Sequence, residues 1–179
     1  MKTLTKLLIP ILAGAFSFNS YGQKTEKTEE GFRQYNEKNQ LIKEVSEDKN
    51  NKFMVNYKYD ENGNKIEEVY IMDYEGDMKS DYSLQYNYKY DENGNKTESI
   101  YKIDNENDGK FDKLIQINHK YNKNRNKIKK IEKTDKENDG KFDYIEQYDY
   151  KYNEDGKLIK TEIMKDNNAD WEFDEYEEY

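Results

Sequence analysis

A 31-residue beat runs through this chain, and it restricts the fold before any single residue is weighed. The segment YKYDENGNK at Tyr57–Lys65 returns unchanged at Tyr88–Lys96, then as HKYNKNRNK at His119–Lys127 and YKYNEDGKL at Tyr150–Leu158. A second motif keeps the same step: DYEGDMKSD from Asp73, DNENDGKFD from Asp104, DKENDGKFD from Asp135 and DNNADWEFD from Asp166. Units of this size bury little alone and gain a core by stacking on their copies. A shorter copy, QYNEKNQLIKE at Gln34–Glu44, precedes them and lacks the acidic loop. It reads as an N-terminal capping repeat over 23–56, with four repeats following over 57–179.

Within a unit the period is two. In Leu84-Gln85-Tyr86-Asn87-Tyr88-Lys89-Tyr90 apolar and aromatic side chains alternate with polar ones, the mark of a half-buried strand. Asp60-Glu61-Asn62-Gly63 supplies a turn, with Gly63 and Gly94 suited to a positive φ. Arg125 stands at that glycine position in the third unit, so its turn is expected to be strained or differently built. The second strand, from Lys65 to Met72, is less cleanly patterned, with Ile66, Val69, Tyr70 and Ile71 on both faces. Each unit is thus a hairpin, and the acidic loop joins it to the next. The pattern predicts an all-β fold: an antiparallel β-hairpin repeat meander, single-layered or solenoid-like, of about eleven strands from near Phe32 to near Glu177. Stacking of equal positions would place Tyr57, Tyr88, His119 and Tyr150 in one row, and Tyr59, Tyr90, Tyr121 and Tyr152 in a second.

Composition sharpens the point. Leu, Ile, Val and Phe make up less than a fifth of the residues, a level at which highly charged chains tend not to fold. The 18 tyrosines offset this, being strand formers with large apolar rings, and they fall in register. The core must still be thin.

Lys2 and Lys6, the apolar run Leu7–Phe18 and the small residues Ser20 and Gly22 have the three parts of a secretory signal peptide over 1–22. The run is shorter than the ~20 residues a membrane span requires, so no membrane insertion is expected after cleavage. This predicts a secreted protein, extracellular, periplasmic or at the cell surface. The chain has no cysteine, which excludes disulfides and a cysteine-linked lipid. Without Lys2 and Lys6 its net charge goes from −9 to −11. That balance disfavours nucleic acid and anionic membranes and favours cations.

The phrase Y-x-Y-D-x-N-G-N at Tyr88–Asn95 resembles the YD repeat of the Rhs-type family. The likeness covers roughly 33–45, 57–70, 88–101, 119–132 and 150–163. It implies a β-hairpin strip at the cell surface or outside the cell. The chain departs from that family in having Asn-Lys after the turn glycine where Arg-Leu is usual, with only Gly156-Lys157-Leu158 coming close, and in its inserted acidic loops. It is too short to enclose a toxin domain, so no delivery role is carried over, and the motif transfers no catalytic residue.

The acidic loops are the candidate chemistry. Calcium takes 6–8 oxygens, and acids at offsets 1, 3, 5 and 9 with glycine at 6 suit it. The loop Asp135, Glu137, Asp139, Asp143 has Glu146 at position 12 and fits best. Asp104, Glu106, Asp108 and Asp112 have Ile115 there. Asp166, Asn168, Asp170 and Asp174 end in Glu177 but carry Trp171 in place of glycine. The loop from Asp73 fits worst, with Met78 at position 6 and Leu84 at 12. No flanking helices are predicted, so these would be EF-hand-like loops between strands. The competing reading is solvated acids around an Asp-Gly turn.

Catalysis finds little material. His119, the single histidine, reads as a sheet-face substitute, and nucleophile–base dyads lack components. Paired carboxylates are too common to single out one pair. The tyrosine rows read either as the apolar face of a thin sheet or as a platform for sugars or peptides. Three functions follow: a non-catalytic structural and binding module, calcium-stabilised, holding protein or glycan on its sheet face; a glycan-active hydrolase using surface carboxylates; or a passive spacer without ligand. The sequence leaves the oligomeric state open.

Overall fold

The computed structural model describes residues 23–48, 51–75, 77 and 80–179. The expected signal peptide and Met78 lie outside them. The strands are β1 (Lys24–Thr28), β2 (Gly31–Tyr35), β3 (Leu41–Asp48), β4 (Asn51–Tyr59), β5 (Lys65–Asp73), β6 (Tyr82–Tyr90), β7 (Lys96–Asp104), β8 (Lys113–Tyr121), β9 (Lys127–Asp135), β10 (Tyr144–Tyr152), β11 (Leu158–Asp166) and β12 (Glu175–Glu178). All twelve form one open antiparallel sheet, each strand bonded to its neighbours in sequence. The extra strand relative to the sequence pattern is β1, whose residues KTEKT show no apolar alternation. It forms because β2 offers it a free edge, with Lys27 opposite Phe32.

Period-two alternation divides the side chains between two faces. Val55, Tyr57, Tyr70, Tyr86, Tyr88 and Tyr101 share one, here the tyrosine face. Ile71, Gln85, Asn87, Lys102, Gln147 and Ile145 share the other, the polar face. Neither is a conventional core. The buried apolar side chains among the described residues are Val45, Val55, Ile71 and Ile145. Val55 lies on the tyrosine face and the other three on the polar face. A single-layer sheet has no second layer to cover either side, so most residues stay half-buried.

Stability comes instead from lateral contacts. Tyr86 meets Tyr101 edge-on, with centroids 4.9 Å apart, and Tyr70 at 5.5 Å. Such pairs contribute roughly 0.5–1.5 kcal/mol beyond their area. Glu68 gathers the Tyr70 hydroxyl (2.7 Å), the Tyr88 hydroxyl (3.1 Å) and the Lys65 ammonium (3.2 Å). The last tyrosine of each long strand fastens its hairpin to the one before. Tyr59 donates its hydroxyl to the Leu41 carbonyl (2.9 Å), Tyr90 to Lys65 (2.8 Å), Tyr121 to Lys96 (3.0 Å) and Tyr152 to Lys127 (2.8 Å).

The rows run obliquely. Tyr57 pairs with Glu68, and Glu68 with Tyr86, so the position level with Tyr57 two strands on is Tyr86 and not Tyr88. Equal positions are therefore offset by two residues per hairpin. Each hairpin has a bulge before its last tyrosine, as at Lys58/Tyr59 and Lys89/Tyr90, whose one extra residue supplies half of this offset, and the register across the acidic loop, where Met72 pairs with Tyr82, supplies the rest.

The turns are built alike. The Asp60 N–H donates to the Asn64 carbonyl, and the Asp60 carboxylate accepts the Asn64 N–H (2.8 Å) and side-chain amide (2.9 Å). Asp91 and Asn95 repeat the set. The bond from Asn64 holds the Asp60 carboxyl below its usual range. The Arg125 turn keeps the same backbone bonds, with Asn122 N–H to the Asn126 carbonyl at 2.9 Å, and absorbs the misfit as a φ of 63°. A left-handed conformation costs a non-glycine residue roughly 1–2 kcal/mol, and glycine's extra unfolded-state freedom cancels part of the relief. Arg125→Gly is expected to raise stability by about 0.5–1 kcal/mol in a urea melt; an unchanged midpoint would remove the strain argument.

Candidate functional site

The acidic loops line one end of the sheet, where β5 hands over to β6, β7 to β8, β9 to β10 and β11 to β12. Their first aspartates, Asp73, Asp104, Asp135 and Asp166, are at most 2 % exposed. In the third loop Asp135 Oδ1 accepts the Asp139 N–H (3.1 Å) and Oδ2 the Gly140 N–H (2.9 Å). Asp104 binds the Asp108 and Gly109 N–H groups in the same way. Asp166 accepts from Asn168 and Trp171, at 3.1 and 2.6 Å. The ninth position closes each loop: Asp112 accepts the Asn105 N–H, Asp143 the Lys136 N–H and Asp174 the Asn167 N–H. The fifth makes a small turn of its own, Asp108, Asp139 and Asp170 accepting from Lys110, Lys141 and Glu172.

This geometry needs two left-handed residues per loop. They are Asn107 and Gly109, Asn138 and Gly140, and Ala169 and Trp171. Trp171 takes the glycine's conformation, φ 70°, and the Lys133 ammonium lies 4.8 Å from its ring centre. The loops also brace one another, since the Asn138 amide donates to the Phe111 carbonyl (3.0 Å) and the Asn107 amide to Ser80 Oγ.

The twelfth-position acids stand apart from their loops. Thr134 pairs with Tyr144 and Glu132 with Glu146, which puts Glu146 on the tyrosine face, whereas Asp135 belongs by alternation to the polar face. Glu177 pairs with Ile163 and is held by the Lys165 ammonium at 2.7 Å. Period-two alternation separates both from positions 1 to 9. Glu106, Glu137, Asn168 and Asp170 are solvent-exposed. Among the described residues no three acids converge closely enough to grip a metal with the side chains as they stand. The loops of Asp104, Asp135 and Asp166 therefore each present one fixed, buried carboxylate, with a lone pair left on each oxygen, beneath exposed acids able to turn toward it. Among the described residues no ion pair reaches Asp104, Asp135 or Asp166.

The polar face carries a second repeating pattern that period-two alternation alone does not single out. Glu98 accepts from the Gln116 amide (3.1 Å) and the Asn118 amide (3.5 Å) and pairs with Lys89 at 2.7 Å. Glu67 sits similarly among Gln85, Asn87 and Lys58. Two strands on, the signs exchange: Lys129 stands opposite Asp149, 3.4 Å away. Complementarity is kept toward β10 while the charges swap, although Lys129 also stands opposite Lys120 of β8, so here the ladder ties β9 to β10.

On the tyrosine face His119 occupies the position of Tyr57, Tyr88 and Tyr150, as its sequence place implies, and its Nδ1 is buried without a hydrogen-bond partner. Burial, aided by Lys127, Lys130 and Lys96, depresses its pKa to about 4. It is neutral at ordinary pH. At the turn end, Asn36, Gln40, Tyr57, Tyr59 and Ile66 line an open groove between the first two turns.

No protein-family model matches this chain, and no match emerges among curated proteins.

Proposed function

We propose that the protein is a secreted or cell-surface structural and binding module, a strip of YD-like hairpins whose sheet face holds a protein or glycan partner and whose acidic loops take calcium. No catalytic step belongs to this reading. The observation that carries it is the recurring loop in which a buried aspartate, tied only to backbone N–H groups, underlies exposed carboxylates. A buried charge without a counterion is costly, and acids gathered at one end of a sheet repel one another. A divalent cation would relieve both costs. The ligand set most consistent with the geometry is Asp135, Glu137, Asp139 and Asp143, then Asp104, Glu106, Asp108 and Asp112, without the twelfth-position acids.

The test is a thermal melt followed by circular dichroism in calcium and in chelator. A surface-type site with Kd ~10⁻³ M adds about 1.4 kcal/mol at ~10 mM calcium, so a clear rise in Tm is expected, with magnesium less effective. Identical melts in calcium and chelator would remove calcium from the proposal and leave the module.

A further inference from the structure

Lys65, Lys96 and Lys127 hold equal places at the starts of β5, β7 and β9. By register each lies on the tyrosine face, opposite Tyr59, Tyr90 and Tyr121 in turn. The Lys65 ammonium is 4.7 Å from the Tyr57 ring centre and that of Lys96 is 3.7 Å from Tyr88's, while the charge of Lys127 helps lower the His119 pKa. Lys65 is neutralised by Glu68 at 3.2 Å. The residue equivalent to Glu68 is Ser99 in the next unit and Lys130 in the one after. So the equivalent position carries no acid in the next unit and a cation in the one after, leaving Glu68 as the acid that acts on Lys96.

Among the described residues Lys96 and Lys127 have no ion-pair partner, whereas Lys130 pairs with Glu132 at 2.8 Å. Burial lowers the Lys96 pKa, Glu68 opposes the shift and Lys65 and Lys127 add to it; burial and Lys130 lower that of Lys127. In a chain of net charge −9, Lys96, Lys127 and Lys130 repel one another on half of one face; Glu68 and Glu132 offset part of that cost, and a bound anion would remove the rest.

We infer that this half of the tyrosine face binds an acidic oligosaccharide, with carboxylate or sulfate groups on Lys96 and Lys127 and sugar rings against Tyr88 and its aromatic neighbours. This rests on the binding-module reading above and names its ligand class. Two features favour a sugar over an acidic peptide. Inside a fully paired sheet the backbone N–H and C=O groups are used up, so an extended peptide would find none of the main-chain bonds by which it adds to an edge. Flat aromatic rings and point charges are what remains. The pairs Lys96–Tyr88 and Lys127–His119 are also related by a fixed offset, two strands across and two residues along. That is about 12 Å from strand spacing and rise, which suits a polymer charged at regular intervals.

The experiment is titration calorimetry of the full protein, in chelator, with oligogalacturonate, a sulfated dextran oligomer, neutral dextran and oligoglutamate. Binding of either acidic sugar, but not neutral dextran, is expected, weakening as salt rises. Lys96→Gln and Lys127→Gln should each weaken it about tenfold, the loss of one charge-assisted bond. Lys58→Gln, on the polar face, should leave it unchanged. Circular dichroism confirms that each variant keeps its sheet. Carboxylate and sulfate arms separate the two sources of charge. Oligoglutamate binding as tightly as the sugars would overturn the sugar assignment, and binding untouched by Lys96→Gln and Lys127→Gln would overturn the site. Either failure leaves the broader module reading intact if the protein still binds extracellular polymer in a pull-down; no retention there, with no titration signal, would sink both.

Discussion

Asp135→Ala is expected to lower stability by about 2–3 kcal/mol, measured in chelator as a fall in the urea midpoint. The side chain is 2 % exposed, and its two oxygens satisfy the N–H groups of Asp139 and Gly140 at 3.1 and 2.9 Å. Hydrogen bonds to a charged group stabilise by roughly 1.5–3 kcal/mol each. Both N–H groups belong to exposed residues, so water recovers part of that loss. Asp135→Asn keeps one acceptor oxygen and should lose about half as much. The transition should also broaden, because each strand touches only its sequence neighbours, and sheets of this kind separate where one junction weakens. Glu137→Gln offers the contrast. Its side chain is exposed, so in chelator it should melt like the wild type; in calcium it should lose much of the gain. A wild-type midpoint for Asp135→Ala would mean that the buried carboxylate does not anchor the loop.

The hairpin was legible in the sequence because alternation and turn chemistry are local. Tyr86, Tyr88 and Tyr90 alternate with Gln85, Asn87 and Lys89, and Asp91 with Gly94 announces the turn that follows. Strand β1 was not legible, since Lys24–Thr28 pairs through backbone at an available edge and needs no apolar pattern. The oblique rows were hidden for another reason. A bulge adds one residue to one strand of a pair, and its offset accumulates across the sheet, while equal spacing in sequence suggests straight columns. The acidic loops were legible as acids at fixed offsets. What could not be read was the burial of Asp104, Asp135 and Asp166, which comes from the loop folding back over each. The separation of Glu146 from Asp135 was open to reading, because eleven residues of mixed loop and strand end on the opposite face. Counting offsets alone assumes a helical exit that these strands do not provide. The approach of Lys65 and Lys96 to the Tyr57 and Tyr88 rings crosses a bulge, so no period in the sequence marks it.

His119→Tyr is expected to raise stability at neutral pH and to flatten its loss on acidification. At neutral pH the gain comes from removing a buried, unpartnered Nδ1, a defect worth about 1–3 kcal/mol, at a position where Tyr57, Tyr88 and Tyr150 already fit. The acid behaviour follows from the histidine's pKa, which burial first, then Lys127, Lys130 and Lys96, lower from 6.5 to about 4 in the folded protein. Between those values the unfolded chain takes up a proton that the folded one refuses. The histidine's contribution is therefore whole above pH ~6.5 and is lost as pH falls toward 4. Tyrosine does not titrate in this range, so the variant's advantage should widen from pH 7 to pH 4. Surface carboxylates also begin to protonate there, but equally in both proteins, and the difference between the two curves cancels them. Thermal melts at half-unit pH steps provide the measurement. A constant difference across the range would show that the imidazole titrates freely and that the three lysines do not bear on it, which would also weaken the case for a concentrated basic patch beside it.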